Sequence, residues 1–347
     1  MVTIHFDLPD IIKGVKKTIF SIAFILFIVI FCAGFQAPEE SSEIESSANE
    51  IPPVTKISWS ADSENIFLIG SRSIKRYPVP ELDPQSQFYA ASADQFIQDY
   101  CPGENVIVTL KEDRQLLFYE AGSVKYQSGI KLDYPAMGAD CSNDKEILVP
   151  SLDEIAVELY DISSGNLMKK LTGFQTAAPV YGATFSPDGK FILWHARASF
   201  RLQNIADESW GSPIEFQDFI DVYRLSPDSK ELVVAAPSED YSKNNLIFMD
   251  TQSGEELSRI EISEQPIGAI AYHPNGKFLM AADSTSLYRI DLTDKKVTWK
   301  EQMVKSDQNV SDPIRIADIS FSPDGKYLAV LQSDEQLSLF RIEEILQ

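Results

Sequence analysis

Phe185-Ser-Pro-Asp-Gly-Lys190, Leu225-Ser-Pro-Asp-Ser-Lys230 and Phe321-Ser-Pro-Asp-Gly-Lys326 are copies of one turn, and Tyr272-His-Pro-Asn-Gly-Lys277 is a conservative fourth. Proline presets φ, and Gly, Asn or Asp tolerates φ > 0, so each copy folds the chain back on itself. Each is preceded by an alternating strand pattern and followed by an apolar run: GATFS-PDGK-FILWHA, VYRLS-PDSK-ELVVAA, AIAYH-PNGK-FLMAAD and DISFS-PDGK-YLAVLQ. Weaker copies lie upstream at Trp59-Ser-Ala-Asp-Ser-Glu64, Tyr100-Cys-Pro-Gly-Glu-Asn105 and Asp140-Cys-Ser-Asn-Asp-Lys145.

The serine position of the seven copies falls at Ser60, Cys101, Cys141, Ser186, Ser226, His273 and Ser322, in steps of 41, 40, 45, 40, 47 and 49 residues. That period predicts propeller blades rather than a solenoid. A third strand follows in every copy (SFRLQNI, NLIFMDT, SLYRIDL), and a more polar fourth in most (NLMKKLT, EELSRIEI, KVTWKEQ). Charges suit the outer edge of a blade, where an exposed strand invites unwanted pairing. The expected fold is all-β: a seven-bladed β-propeller over residues 54–347, preceded by one N-terminal transmembrane helix.

The turns resemble those of WD40-type β-propeller repeats. The resemblance covers about residues 54–347 and rests on the Ser-Pro-Asp-Gly-Lys element. The Gly-His pair of that family is missing, and its terminal Trp-Asp survives as Tyr160-Asp161, Met249-Asp250 and Ile290-Asp291. Six-bladed TolB-like and seven-bladed lactonase-type propellers share the same turn. The last copy ends at Gln347 after its third strand, so a closing strand from residues 42–53 is an expectation, against which stand its Glu and Ser content and Pro52-Pro53.

The 347 residues carry a net charge of −22. Such acidity repels phosphate backbones and excludes nucleic acid as a partner. A hydrophobic content of 44% excludes global disorder. Three cysteines exclude a disulfide-dense scaffold and a four-cysteine zinc site.

Thr18 to Phe35 is uncharged over 18 residues, about 27 Å as a helix, which suffices to cross a bilayer. Lys13, Lys16 and Lys17 precede it, and no positive charge follows until Lys56. The positive-inside rule places residues 1–17 in the cytoplasm and the propeller outside it. A signal anchor at 18–35 is the reading; a signal peptide cleaved near Ala33 and Gly34 is the alternative, and Phe31 ahead of Cys32 speaks against lipidation. Residues 36–53 form an acidic Ser/Glu-rich linker whose Glu40, Glu43 and Glu45 serve solvation.

Candidate site residues are few. His5, His195 and His273 sit in different segments without ligand spacing. No G-x-S-x-G, P-loop, G-x-G-x-x-G or H-E-x-x-H motif occurs, so no cofactor and no catalytic residue is assigned. Asp62, Asp188, Asp228 and Asp324 are read as caps of their own turns. Cys101 and Cys141 occupy equivalent places in neighbouring blades; they pair as a disulfide or remain two buried thiols. Tyr134, Trp210 and Tyr241 fall between predicted strands and are candidates for a partner surface. Asn309-Val-Ser311 is a glycosylation sequon. The expected function is a membrane-anchored, extracytoplasmic scaffold that binds a protein or peptide. The alternative is a propeller enzyme, a lactonase or other hydrolase, whose carboxylates gather in the central channel from different blades.

Overall fold

The structure, a computed structural model, describes residues 53–90, 94–112, 114–142, 146–151, 155–174, 182–196, 198–218, 220–304 and 313–345. The segment read as a membrane anchor, most of the acidic linker with its closing strand, and the Asn309 sequon lie outside these residues. No helix among the described residues is long and apolar enough to cross a membrane.

Each repeat folds into an antiparallel meander, because each turn joins two runs that are adjacent in sequence. Blade 1 comprises β1 (Val54–Trp59), β2 (Asn65–Gly70), β3 (Ser73–Pro78) and β4 (Ser86–Tyr89). Blade 2 comprises β5 (Gln95–Cys101), β6 (Val106–Lys111), β7 (Gln115–Glu120) and β8 (Tyr126–Lys131). Blade 3 holds β9 (Asp140–Cys141), β10 (Glu146–Pro150), β11 (Ala156–Asp161) and β12 (Leu167–Thr172). Blade 4 holds β13 (Gly182–Phe185), β14 (Phe191–Ala196), β15 (Ser199–Asn204) and β16 (Ile214–Glu215). Blade 5 holds β17 (Tyr223–Leu225), β18 (Glu231–Pro237), β19 (Asn244–Asp250) and β20 (Glu256–Ser263). Blade 6 holds β21 (Ile267–Tyr272), β22 (Phe278–Asp283), β23 (Ser286–Asp291) and β24 (Lys296–Gln302). Blade 7 has three strands among the described residues, β25 (Ile316–Phe321), β26 (Tyr327–Gln332) and β27 (Leu337–Arg341), then a short helix α1 (Ile342–Ile345).

The core is divided into seven clusters, one at each junction between neighbouring blades. The second strand of blade 1 shows why. Side chains alternate across a strand, so Ile66 and Leu68 pack toward Ala329 and Leu331 of blade 7. Phe67 and Ile69 pack toward Ile97, Tyr100 and Ile107 of blade 2. Both faces are buried, which is why the second strands read as unbroken apolar runs. The first strand of each blade lies innermost, around a central channel.

The turns behave as their sequence dictates. Ser186 Oγ donates to Asp188 Oδ1 at 2.7 Å and accepts from the Phe191 N–H at 3.0 Å. Gly189 takes φ 70°, and Ser63 and Ser229 take 64° and 61° at the same place. Those two serines also reach the preceding blade: Ser229 Oγ donates to Asp188 at 3.0 Å, and Ser63 Oγ accepts the Asp324 N–H at 3.1 Å. In blade 6, His273 replaces the serine; its Nδ1 accepts the Asn275 N–H at 3.1 Å. Blade 3 corrects the alignment. Ser142, not Cys141, holds the serine position: its Oγ accepts the Glu146 N–H at 3.1 Å and its own N–H donates to the Glu146 carbonyl. The turn is one residue shorter there, so Cys141 pairs with Ile147 at the end of β9.

Strands alternate in direction, so the turns after the first and third strands share one face of the ring. The turns after second strands and the loops between blades share the other. We call these the turn face and the loop face. The chain enters β1 from the loop face, at Val54.

Candidate functional site: the central channel

The channel is lined by the first strands, and its wall follows from their parity. Lys56, Asp99, Asp140, Thr184, Arg224 and Asp318 each stand two or four residues before the serine position of their turn, counting Cys101 and Ser142 in blades 2 and 3. Even spacing puts them on one face of the strand, and in a propeller that face borders the channel. The resulting cavity measures about 960 Å³ along blades 1 and 4–7. On the turn face its mouth is ringed by Pro187, Pro227, Pro274 and Pro323, the prolines of four successive turns.

The acids of the wall are committed to the frame. Asp140 Oδ2 accepts the Thr184 hydroxyl and the Phe185 N–H, both at 2.8 Å, and so ties blade 3 to blade 4. Asp318 Oδ2 accepts the Ile57 N–H at 2.7 Å and its Oδ1 the Ile319 N–H at 2.9 Å, tying blade 7 to blade 1. Asp99 accepts its neighbour's Tyr100 N–H through Oδ1 and pairs through Oδ2 with Lys56 Nζ at 2.8 Å. Burial, and next the charge of Asp99, push the Asp140 carboxyl above its ordinary range. Burial does the same to Asp318, opposed by Arg224 and two backbone N–H groups. Burial works against the charge of Lys56, but Asp99 and Asp140 outweigh it and hold the ammonium above its usual value. Its side chain keeps 49% exposure because it borders an open channel with protein on all sides.

Cys101 and Cys141, which end the first strands of blades 2 and 3, are joined by a disulfide with Cα atoms 5.3 Å apart. The three candidate surface aromatics do not form a common surface. Tyr134 is buried at 8% exposure, with its hydroxyl 3.4 Å from the Val149 carbonyl. Trp210 is half-buried against Phe174 and Trp194, under the Arg201 guanidinium. Tyr241 alone is exposed, at 70%. Trp210 follows a third strand and belongs to the turn face, whereas Tyr134 and Tyr241 belong to the loop face. Apolar residues in loops read alike in sequence whether they cover a core or face water.

Sequence reasoning missed the channel set. Its signal was the polar residue at even spacing before every turn but that of blade 6, where Ala269 and Ala271 stand instead, blurred in blade 3 by the one-residue shift. Among the described residues no group of three or more His, Cys, Asp or Glu is placed to hold a metal ion.

No protein-family model matches the sequence, and no curated protein does. Among solved structures the chain is similar to a chain of Kuenenia stuttgartiensis hydrazine synthase, with 13% identity and a TM-score of 0.66. The likeness covers 87% of this chain and 99% of that one. At that identity the likeness speaks to architecture alone, and it agrees with the seven blades: the chain is an all-β, seven-bladed propeller.

Proposed function

We propose that this protein is a binding module, a propeller held outside the cytoplasm by residues 18–35 that takes a protein or peptide at the mouth of its channel. The observation that carries the reading is the commitment of the channel acids. A hydrolase needs a carboxyl that exchanges a proton with its substrate. Asp99, Asp140 and Asp318 instead accept backbone, hydroxyl or ammonium donors that fix one blade against the next, and burial accounts for the raised values of Asp140 and Asp318. The channel thus offers a rigid, open cavity of about 960 Å³, suited to holding an inserted segment.

Gly268 lines this cavity, and a Cβ added there meets nothing within 4 Å. Gly268→Trp therefore places an indole in the cavity, with its Cβ in open space. Affinity capture with the intact protein in mild detergent, followed by mass spectrometry, should recover a partner that the blocked variant loses. Equal recovery by both, or turnover of a lactone by the unblocked protein alone, would overturn the reading.

A further inference from the structure

Arg224 stands apart in the channel wall. Its NH1 donates to the Tyr223 carbonyl at 2.8 Å, and this is the one hydrogen bond its guanidinium makes among the described residues. No carboxylate of those residues lies within 4 Å of it, although Asp318 is near enough to feel its charge, and Asp221 and Lys56 line the same cavity. A guanidinium carries five donors in a planar fork, so most of its capacity is unspent. Asp318, the acid that feels its charge, is engaged by the Ile57 and Ile319 N–H groups.

We propose that Arg224 receives the terminal carboxylate of a peptide that enters through the proline collar. This rests on the reading of the channel as a peptide site and names the group that anchors the ligand. Three features favour it. A fork of two parallel N–H donors matches a carboxylate. A singly charged anion suits one open cation with Asp221 and Asp318 nearby, whereas a phosphate dianion would meet repulsion from both. The collar of Pro187, Pro227, Pro274 and Pro323 has no backbone N–H to offer, so it presents an apolar rim to the side chains behind the terminus. The net charge of −22 opposes anions at long range, but screening confines that effect to within about 8 Å at physiological salt.

The test uses the full chain in detergent, immobilised, and two random heptapeptide pools that differ only in a free or an amidated C-terminus. Bound peptides are counted by mass spectrometry on the unmodified protein, on Arg224→Gln and on Gly268→Trp, with thermal melting to show that each variant is folded. The expected result is retention of the free-acid pool about tenfold or more above the amide pool, a preference lost in Arg224→Gln. Equal retention of both pools, blocked by Gly268→Trp, overturns the role of Arg224 and leaves the channel as a peptide site. Retention of neither pool above the blocked variant overturns both. A free-acid preference that persists unchanged in Arg224→Gln would assign the carboxylate to another cation and equally overturn the proposal.

Discussion

The junction between blades 2 and 3 and the junction between blades 7 and 1 hold the ring together by opposite means. Between blades 2 and 3 the turns have lost the Ser-Pro-Asp pattern, and a covalent bond joins Cys101 to Cys141. Between blades 7 and 1 the turns keep their serines and acids, and polar contacts do the joining. Asp318 accepts the Ile57 N–H, Ser63 accepts the Asp324 N–H, and Glu335 bridges the Val54 N–H and the Lys75 ammonium. Apolar packing is comparable at both, with Leu110, Phe118 and Ile147 at the first and Ile57, Leu68 and Leu331 at the second. The difference teaches that packing alone does not set the register of neighbouring blades. Each of these two junctions adds a directional bond at its innermost strand, and where the turn motif decayed a disulfide supplies it.

The comparison can be broken most forcefully at the covalent junction. Removing a cross-link across 40 residues should cost about 4 kcal/mol by the chain-entropy account. Cys101→Ser with Cys141→Ser should therefore lower the urea midpoint strongly, and reductant should do the same to the unmodified protein alone. Non-reducing peptide mapping should find the two cysteines in one cross-linked fragment. A reductant-insensitive midpoint would show that the two junctions do not differ.

Asp318→Ala comes next. It leaves the N–H groups of Ile57 and Ile319 without their acceptor at a buried place, at about 1–3 kcal/mol. Hydrogen exchange should then quicken at Ile57 before it does so anywhere in blades 2 and 3. Ser63→Ala removes only the turn-to-turn contact, along with a side chain that the positive φ of 64° does not need. A loss of about 1 kcal/mol is expected, seen as a small shift in thermal melting.

The smallest effect concerns acid. Asp140 and Asp318 have raised values in the folded ring. The folded state therefore binds their protons more readily, and stability from this source grows as pH falls through those values toward 3.8. Asp62 runs the other way: the Ser60 hydroxyl, then the Glu64 N–H, hold its carboxyl below 3.8. Its contribution is present above 3.8 and is lost as pH falls through the lowered value. Asp140→Asn, which imitates the protonated carboxyl, should differ from the unmodified protein at neutral pH, with a gap that narrows toward pH 4. Denaturant midpoints measured across pH would check it.

Much of this was legible in the chain because the information is local. Ser186, Asp188 and Phe191 lie within one turn, and the strands they join pair as neighbours. The blades and their number follow from that. The junction between blades 7 and 1 was not legible, since Ile57 and Asp318 are 261 positions apart and nothing near either one announces the other. Arg224 reads in sequence as an exposed charge alternating with Tyr223 and Leu225. Only closure of the ring turns that outward residue into the lining of a channel.

The direction of β1 has one more consequence. The chain reaches the ring at Val54 on the loop face and runs toward the turn face, where the proline collar opens. The start of the first strand and the proline collar therefore lie on opposite faces of the ring, separated by the full length of β1.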